Sequence, residues 1–113
     1  MIVSFEGVGQ VCATFLGEGL TVGQVVKMAG NGTVDACGAG DLFCGVALCC
    51  KEDACTVQVG GFVSVPYSGT APAAGWEALA ADGKGGVKRA ASGGAVRLVT
   101  DVDTTAKTVT IML

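Results

Sequence analysis

Residues Leu42 to Val65, LFCGVALCCKEDACTVQVGGFVSV, decide the fold. They read as two β-strands joined by a tight polar turn, Lys51-Glu52-Asp53-Ala54, because side chains on a strand alternate between faces with a period of two. Pairing Cys50 with Cys55 sets Leu48 against Val57, Val46 against Val59 and Leu42 against Val63, all apolar. The other face then carries Phe43 against Phe62, Ala47 against Gln58 and Gly45 against Gly60. A slip of one residue scrambles this matching, so the pattern specifies one register. It predicts a buried cluster of Val46, Leu48, Val57 and Val59, and it says nothing about chemistry.

Outward from this hairpin the chain keeps the same grammar. Towards the N-terminus, Ile2 to Glu6, Val11 to Leu16, Gly23 to Ala29 and Thr33 to Cys37 read as strands, separated by glycine-rich turns. Asn31-Gly32 is a hairpin signal, since a type I′ turn needs positive φ at both central residues. Towards the C-terminus, Gly60-Gly61 marks a bulge or a close backbone approach, and Pro66 ends its strand for want of an N–H. Tyr67 to Pro72 reads as a loop. Alanine content suggests a helix over residues 73–81, but Asp82-Gly83-Lys84-Gly85-Gly86 resembles a hairpin loop, so Trp76 to Ala81 and Val87 to Ala91 are read as strands. Ala95 to Val102 and Lys107 to Leu113 flank a turn at Asp103-Thr104-Thr105-Ala106; pairing Val102 with Lys107 sets Leu98 opposite Ile111 and Val96 opposite Leu113. Strands this short, with turns at this spacing, predict an all-β fold: a small glycine-rich β-barrel or sandwich built from hairpins. The length of 113 residues fits a single β domain, 1–113.

Composition narrows the function. Half of the residues are hydrophobic and 15% are charged, which excludes a disordered chain. A net charge of -3 argues against a nucleic-acid partner, whose phosphates call for a basic surface. No apolar run approaches the roughly 20 residues of a membrane-spanning helix. The stretch from Met1 to Glu6 lacks the basic and apolar regions of a secretory signal, so the expected site of synthesis and folding is the cytoplasm.

Six cysteines (Cys12, Cys37, Cys44, Cys49, Cys50 and Cys55) contain no C-x-x-C pair, and the chain has no histidine. The spacing fits reduced thiols packed as small hydrophobes. A Cys50–Cys55 bridge in an oxidising setting and metal ligation are the alternatives. Without histidine no thiol or hydroxyl has the usual base beside it, and Lys27, Lys84, Lys88 and Lys107 fit solvated surface. Asp101 and Asp103 form a D-x-D without EF-hand spacing, and Asp103 fits the opening of a turn. The paired glycines complete neither G-x-G-x-x-G nor a P-loop. Lys27-Met28 partly matches the Met-Lys-Met of biotin carriers, with Val26 where the first methionine would stand. Lys84, Lys88 and Arg89 form one small basic cluster. No catalytic, cofactor-binding or metal residue is expected.

The stretches 19–27 (GLTVGQVVK), 31–34 (NGTV), 43–47 (FCGVA), 57–66 (VQVGGFVSVP) and 79–83 (LAADG) give the chain a resemblance, over roughly residues 17–113, to small head decoration proteins of tailed phages and prophages. These are turn and strand patterns, not catalytic signatures. The resemblance implies a non-enzymatic virion structural protein that sits on the outside of the capsid, often as a trimer, and clamps major capsid protein subunits after expansion. It implies the virion surface as final location and the host cytoplasm before assembly. The richness in cysteine departs from that pattern. The competing expectation is another small β interaction module, such as a head fibre base or a bacterial surface-associated domain. The apolar segment Ile2, Val3, Ser4 and Phe5 is the expected partner-binding edge, since a strand at a free end can add to another chain's sheet.

Overall fold

A computed structural model describes residues 10–113. The expected first strand, with Ile2, Val3, Ser4 and Phe5, lies outside the described residues.

The fold is all-β, with no helix among the described residues. The described residues form ten strands in chain order: β1 (Val11–Leu16), β2 (Val25–Gly30), β3 (Thr33–Ala36), β4 (Gly45–Lys51), β5 (Ala54–Gly60), β6 (Phe62–Pro66), β7 (Gly75–Ala81), β8 (Val87–Arg89), β9 (Ala95–Asp103) and β10 (Thr108–Met112). The first five close into a barrel in the order β1-β3-β2-β4-β5, and the rest form a second sheet in the order β6-β10-β9-β7-β8. The barrel closes through a short parallel contact of β1 with β3, where Leu16 stands opposite Thr33 and its N–H donates to the Gly32 carbonyl at 2.9 Å. The second sheet also curls. Tyr67, just past β6, bridges to Val87 of β8, and the Ser68 N–H donates to the Val87 carbonyl. Edges are thereby kept short, which limits uncontrolled strand pairing.

Period-two alternation explains how the two halves hold together. On β2, Val26 points into the barrel while Val25 points out; on β4, Ala47 points in and Val46 out. Val26, Val34, Ala47, Cys55 and Val57 fill the barrel, with Phe15 and Leu20 packed on them. Val25, Phe43 and Val46 join Val65, Tyr67, Leu79, Ala81, Val87, Val99, Val109 and Ile111 in a second apolar cluster between barrel and sheet. The first residues of β2 and β4 are therefore buried on both faces.

The central hairpin forms, with Lys51 opposite Ala54 and Cys50 opposite Cys55, but its register changes further along. A bulge lies between Ala47 and Cys49, so Ala47 stands opposite Val57 and Val46 opposite Gln58. Leu48 is the extra residue: it is half-buried and belongs to neither core cluster. The expected cluster of Val46, Leu48, Val57 and Val59 therefore does not form: Val46 joins one core, Val57 and Val59 the other, and Leu48 neither. The pairs beyond it do not form either, because β5 ends at Gly60 and the chain leaves the barrel. Gly61, with φ 89°, makes that exit, a conformation that side-chain-bearing residues resist. Gly45 pairs with Val26 instead of Gly60, and a Cβ there would collide with the Gln58 carbonyl. At Asn31-Gly32 only Gly32 takes positive φ, 67°, so the turn is not type I′, and a bulge between Met28 and Gly30 absorbs the difference.

The expectation of six reduced cysteines is corrected. Cys50 and Cys55, directly opposite across the hairpin, are joined in a disulfide, leaving Cys12, Cys37, Cys44 and Cys49 free.

Candidate interaction surface

On β7, Leu79 and Ala81 face the core, so alternation turns Trp76, Ala78 and Ala80 to the outer side of the second sheet. On β9, Val99 faces the core and its neighbour Leu98 stands opposite Trp76, while Val96 stands opposite Ala78. The outer side thus carries Trp76, 68% exposed, and Val96, 63% exposed, with Leu98 and Ala78 half-buried beside them. No charged side chain interrupts these four. Leaving an indole and a valine side by side in water is unfavourable, at about 25 cal/mol per Å² of apolar surface, and contiguous exposed apolar patches mark contact sites.

The rim is charged. Lys88 stands opposite Ala80 on β8 and therefore shares the outer side. Asp101 stands opposite Thr110, whose hydroxyl lies 2.7 Å from that of Ser64 on the same side. Neither Lys88 nor Asp101 is in an ion pair among the described residues. Asp103 also lies on that side, but its carboxylate accepts the N–H groups of Thr105 and Ala106 at 3.0 and 2.9 Å and opens the turn, as its sequence position suggests.

The remaining expected groups have structural partners. Arg89 turns inward and pairs with Glu77 at 3.6 Å, so it does not share a cluster with Lys88. Lys84 lies in the 82–86 loop, which the Asp82 carboxylate organises by accepting the N–H groups of Lys84 and Gly86 and the Ser68 hydroxyl. Lys27 sits within β2 opposite Asp35, away from the hairpin tip, and its ammonium binds Asp41 at 2.6 Å. That bond raises the Lys27 pKa and lowers that of Asp41. Arg97 places its guanidinium 5.1 Å from the Phe43 ring centroid and donates to the Phe43 carbonyl at 3.1 Å; burial lowers its pKa.

Nothing in this arrangement activates the half-buried thiols. Burial pushes Cys37 up to about 11, with Asp41 adding to the effect, and burial likewise raises Cys44. Both are held as thiols at neutral pH, and the thiolate is the reactive form. Among the described residues no group of three His, Cys, Asp or Glu side chains could hold a metal. An open cavity of about 410 Å³ at the barrel's end is lined by Glu18, Asp35 and Asp53 with Leu16 and Val34.

Sequence reading missed the Trp76 face. The expected pairing of Leu98 with Ile111 would have buried Leu98; instead Val102 stands opposite Val109, two residues beyond the expected Lys107, and a bulge at Thr100 then sets Val99 opposite Ile111 and turns Leu98 outward. The signal that could have found it is the spacing of Trp76 and Leu79, which opposite faces of one strand must separate. No family model matches the chain, and no curated protein matches it.

Proposed function

We propose that this chain is a non-enzymatic structural protein of a tailed phage or prophage that decorates and stabilises the capsid, working through protein surfaces. The observation that carries the reading is the Trp76 face: an uncharged apolar patch with a charged rim, built on the rigid strands β7 and β9. Apolar centres with polar rims are the anatomy of protein interfaces, and exposed tryptophans supply their strongest contacts. The resemblance in turn and strand pattern supplies the kind of assembly, with the major capsid protein as partner and self-association on the virion surface. The segment Ile2, Val3, Ser4 and Phe5 is the proposed strand offered to the capsid.

A decoration protein binds the assembled state preferentially and raises its melting temperature by mass action. Purified protein is mixed with expanded capsids of its own phage or prophage, alongside a form lacking residues 1–6. The expected result is co-sedimentation of the intact chain with a raised capsid melting temperature, and weaker binding by the truncated form. An intact chain that neither co-sediments with expanded capsids nor shifts their melting overturns the decoration reading. Equal binding by the truncated form removes the N-terminal segment from it.

A further inference from the structure

The charges on the rim are placed for a particular occupant. Take the centre of the patch as the midpoint of Trp76, Ala78, Val96 and Leu98. Lys88, level with Ala80, lies about three residue steps from it along the strands, roughly 10 Å at the usual rise. Asp101, beyond Leu98 on β9, lies about three ladder steps in the opposite direction, since the bulge at Thr100 takes up one residue, again roughly 10 Å. The two opposite charges are thus at similar distances on opposite sides of an uncharged apolar centre. A two-fold axis lying in the patch and running across the strands exchanges those sides. It brings Lys88 of one copy over Asp101 of the other, and repeats the contact on the far side. The sheets then cross at an angle, and a crossing of roughly 30° in the sense that swings β8 of one copy towards β9 of the other offsets much of the two-strand lateral distance between them. The long lysine stem covers the remainder.

We infer that the Trp76 face takes the same face of a second copy of this chain, with Lys88 of each copy paired with Asp101 of the other. This rests on the reading of that face as an interaction surface and names its occupant. Self-complementarity is what an isologous two-fold contact requires, since each patch must supply both partners of every pair. Two identical acidic rims would repel. One lysine and one aspartate, neither in an ion pair among the described residues, attract in this arrangement. Burying Trp76 against Val96 and Leu98 of the other copy removes the exposed indole from water.

The test is sedimentation equilibrium of the full chain over a wide concentration range. A reversible monomer–dimer equilibrium is expected. Trp76→Ala weakens it by about tenfold or more, as loss of a central tryptophan anchor does. Val96→Lys, on an exposed position that does not endanger folding, does the same. Lys88→Asp and Asp101→Lys each weaken pairing about tenfold by opposing like charges, and the double variant recovers most of the loss, which independent sites cannot do. A monomer at all concentrations, a trimer, or a double variant as weak as the two single losses combined overturns the inference. Capsid binding separates it from the functional reading. A chain that pairs but ignores capsids overturns decoration and leaves the pairing intact. A chain that binds capsids through Trp76 as a monomer overturns the pairing.

Discussion

At the scale of single residues, the polar side chains of this protein mostly organise backbone. Asp103 was legible as a turn opener because an aspartate needs only its own next residues to act. The Asp82 carboxylate was not, because its third partner, the Ser68 hydroxyl at 2.6 Å, is 14 residues away in sequence. The same holds for Lys27 and Asp41, also 14 apart, whose contact at 2.6 Å depends on how β2 meets the loop before β4. This pair fixes a pH dependence. The Asp41 pKa is lowered below its ordinary 3.8, first by the hydrogen bond from Lys27 and then by the Gly38 N–H. Its stabilising contribution is therefore present above 3.8 and is lost as pH falls through the lower, folded-state value. The Lys27 pKa is raised above 10.5, so its contribution is present below 10.5 and lost as pH rises through the folded-state value. The pair is solvent-exposed, which makes the effect small. Denaturation midpoints of the chain and of Asp41→Asn should differ by a constant amount through the neutral range and converge on acidification below 3.8. A difference that survives into strong acid would contradict the assignment.

At the scale of strands, existence was legible and register was not. Val11–Leu16 was bounded by its glycines, and β2, β3 and β7 to β10 fell within a residue or two of the expected stretches. By contrast, β4 starts at Gly45, three residues after the expected Leu42, and the expected strand running to Val65 is broken at Gly61 into β5 and β6 of different sheets. Alternation is a local property, so a sequence displays it directly. A bulge adds one residue to one strand and turns every residue beyond it to the other face, and no period-two pattern records where that happens. The bulge at Leu48 split the expected hairpin cluster, and the bulge at Thr100 turned Leu98 and Val96 outward. The candidate surface owes its existence to that second bulge. The consequences for stability are specific. Leu79 is fully buried, so Leu79→Ala should cost about 2–5 kcal/mol, the range for a cavity in a packed core. Leu48, although a leucine on the central hairpin, should cost about 1 kcal/mol or less on truncation, as at a site outside both cores. Urea denaturation of the two variants checks this; equal losses would place Leu48 in the core and remove the bulge.

At the scale of the whole molecule, the barrel and the second sheet share strands that neither can give up. Val25 and Val46 stand opposite each other on β2 and β4, and both project into the cluster that also holds Leu79, Val99 and Ile111 of the second sheet. Their strand neighbours Val26 and Ala47 fill the barrel. Losing the second sheet would expose the outer faces of β2 and β4 and, at about 25 cal/mol per Å² of apolar surface, forfeit several side chains' worth of burial. The backbone ties the halves as well: the Val25 N–H donates to the Gly85 carbonyl at 3.0 Å and the Ala81 N–H to the Asp41 carbonyl at 2.9 Å. Two sheets coupled in this way should unfold together. Trp76 is the only tryptophan and reports on the second sheet; the amides of Val26, Val34 and Val57 report on the barrel. Fluorescence and hydrogen exchange should give one transition, with the same free energy from both probes. Leu79→Ala, a change in the second sheet alone, should lower the protection of the barrel amides by the same amount that it lowers the fluorescence transition. Barrel amides that keep their full protection in that variant would show that the barrel stands by itself, and the shared valines of β2 and β4 would then contribute packing without coupling.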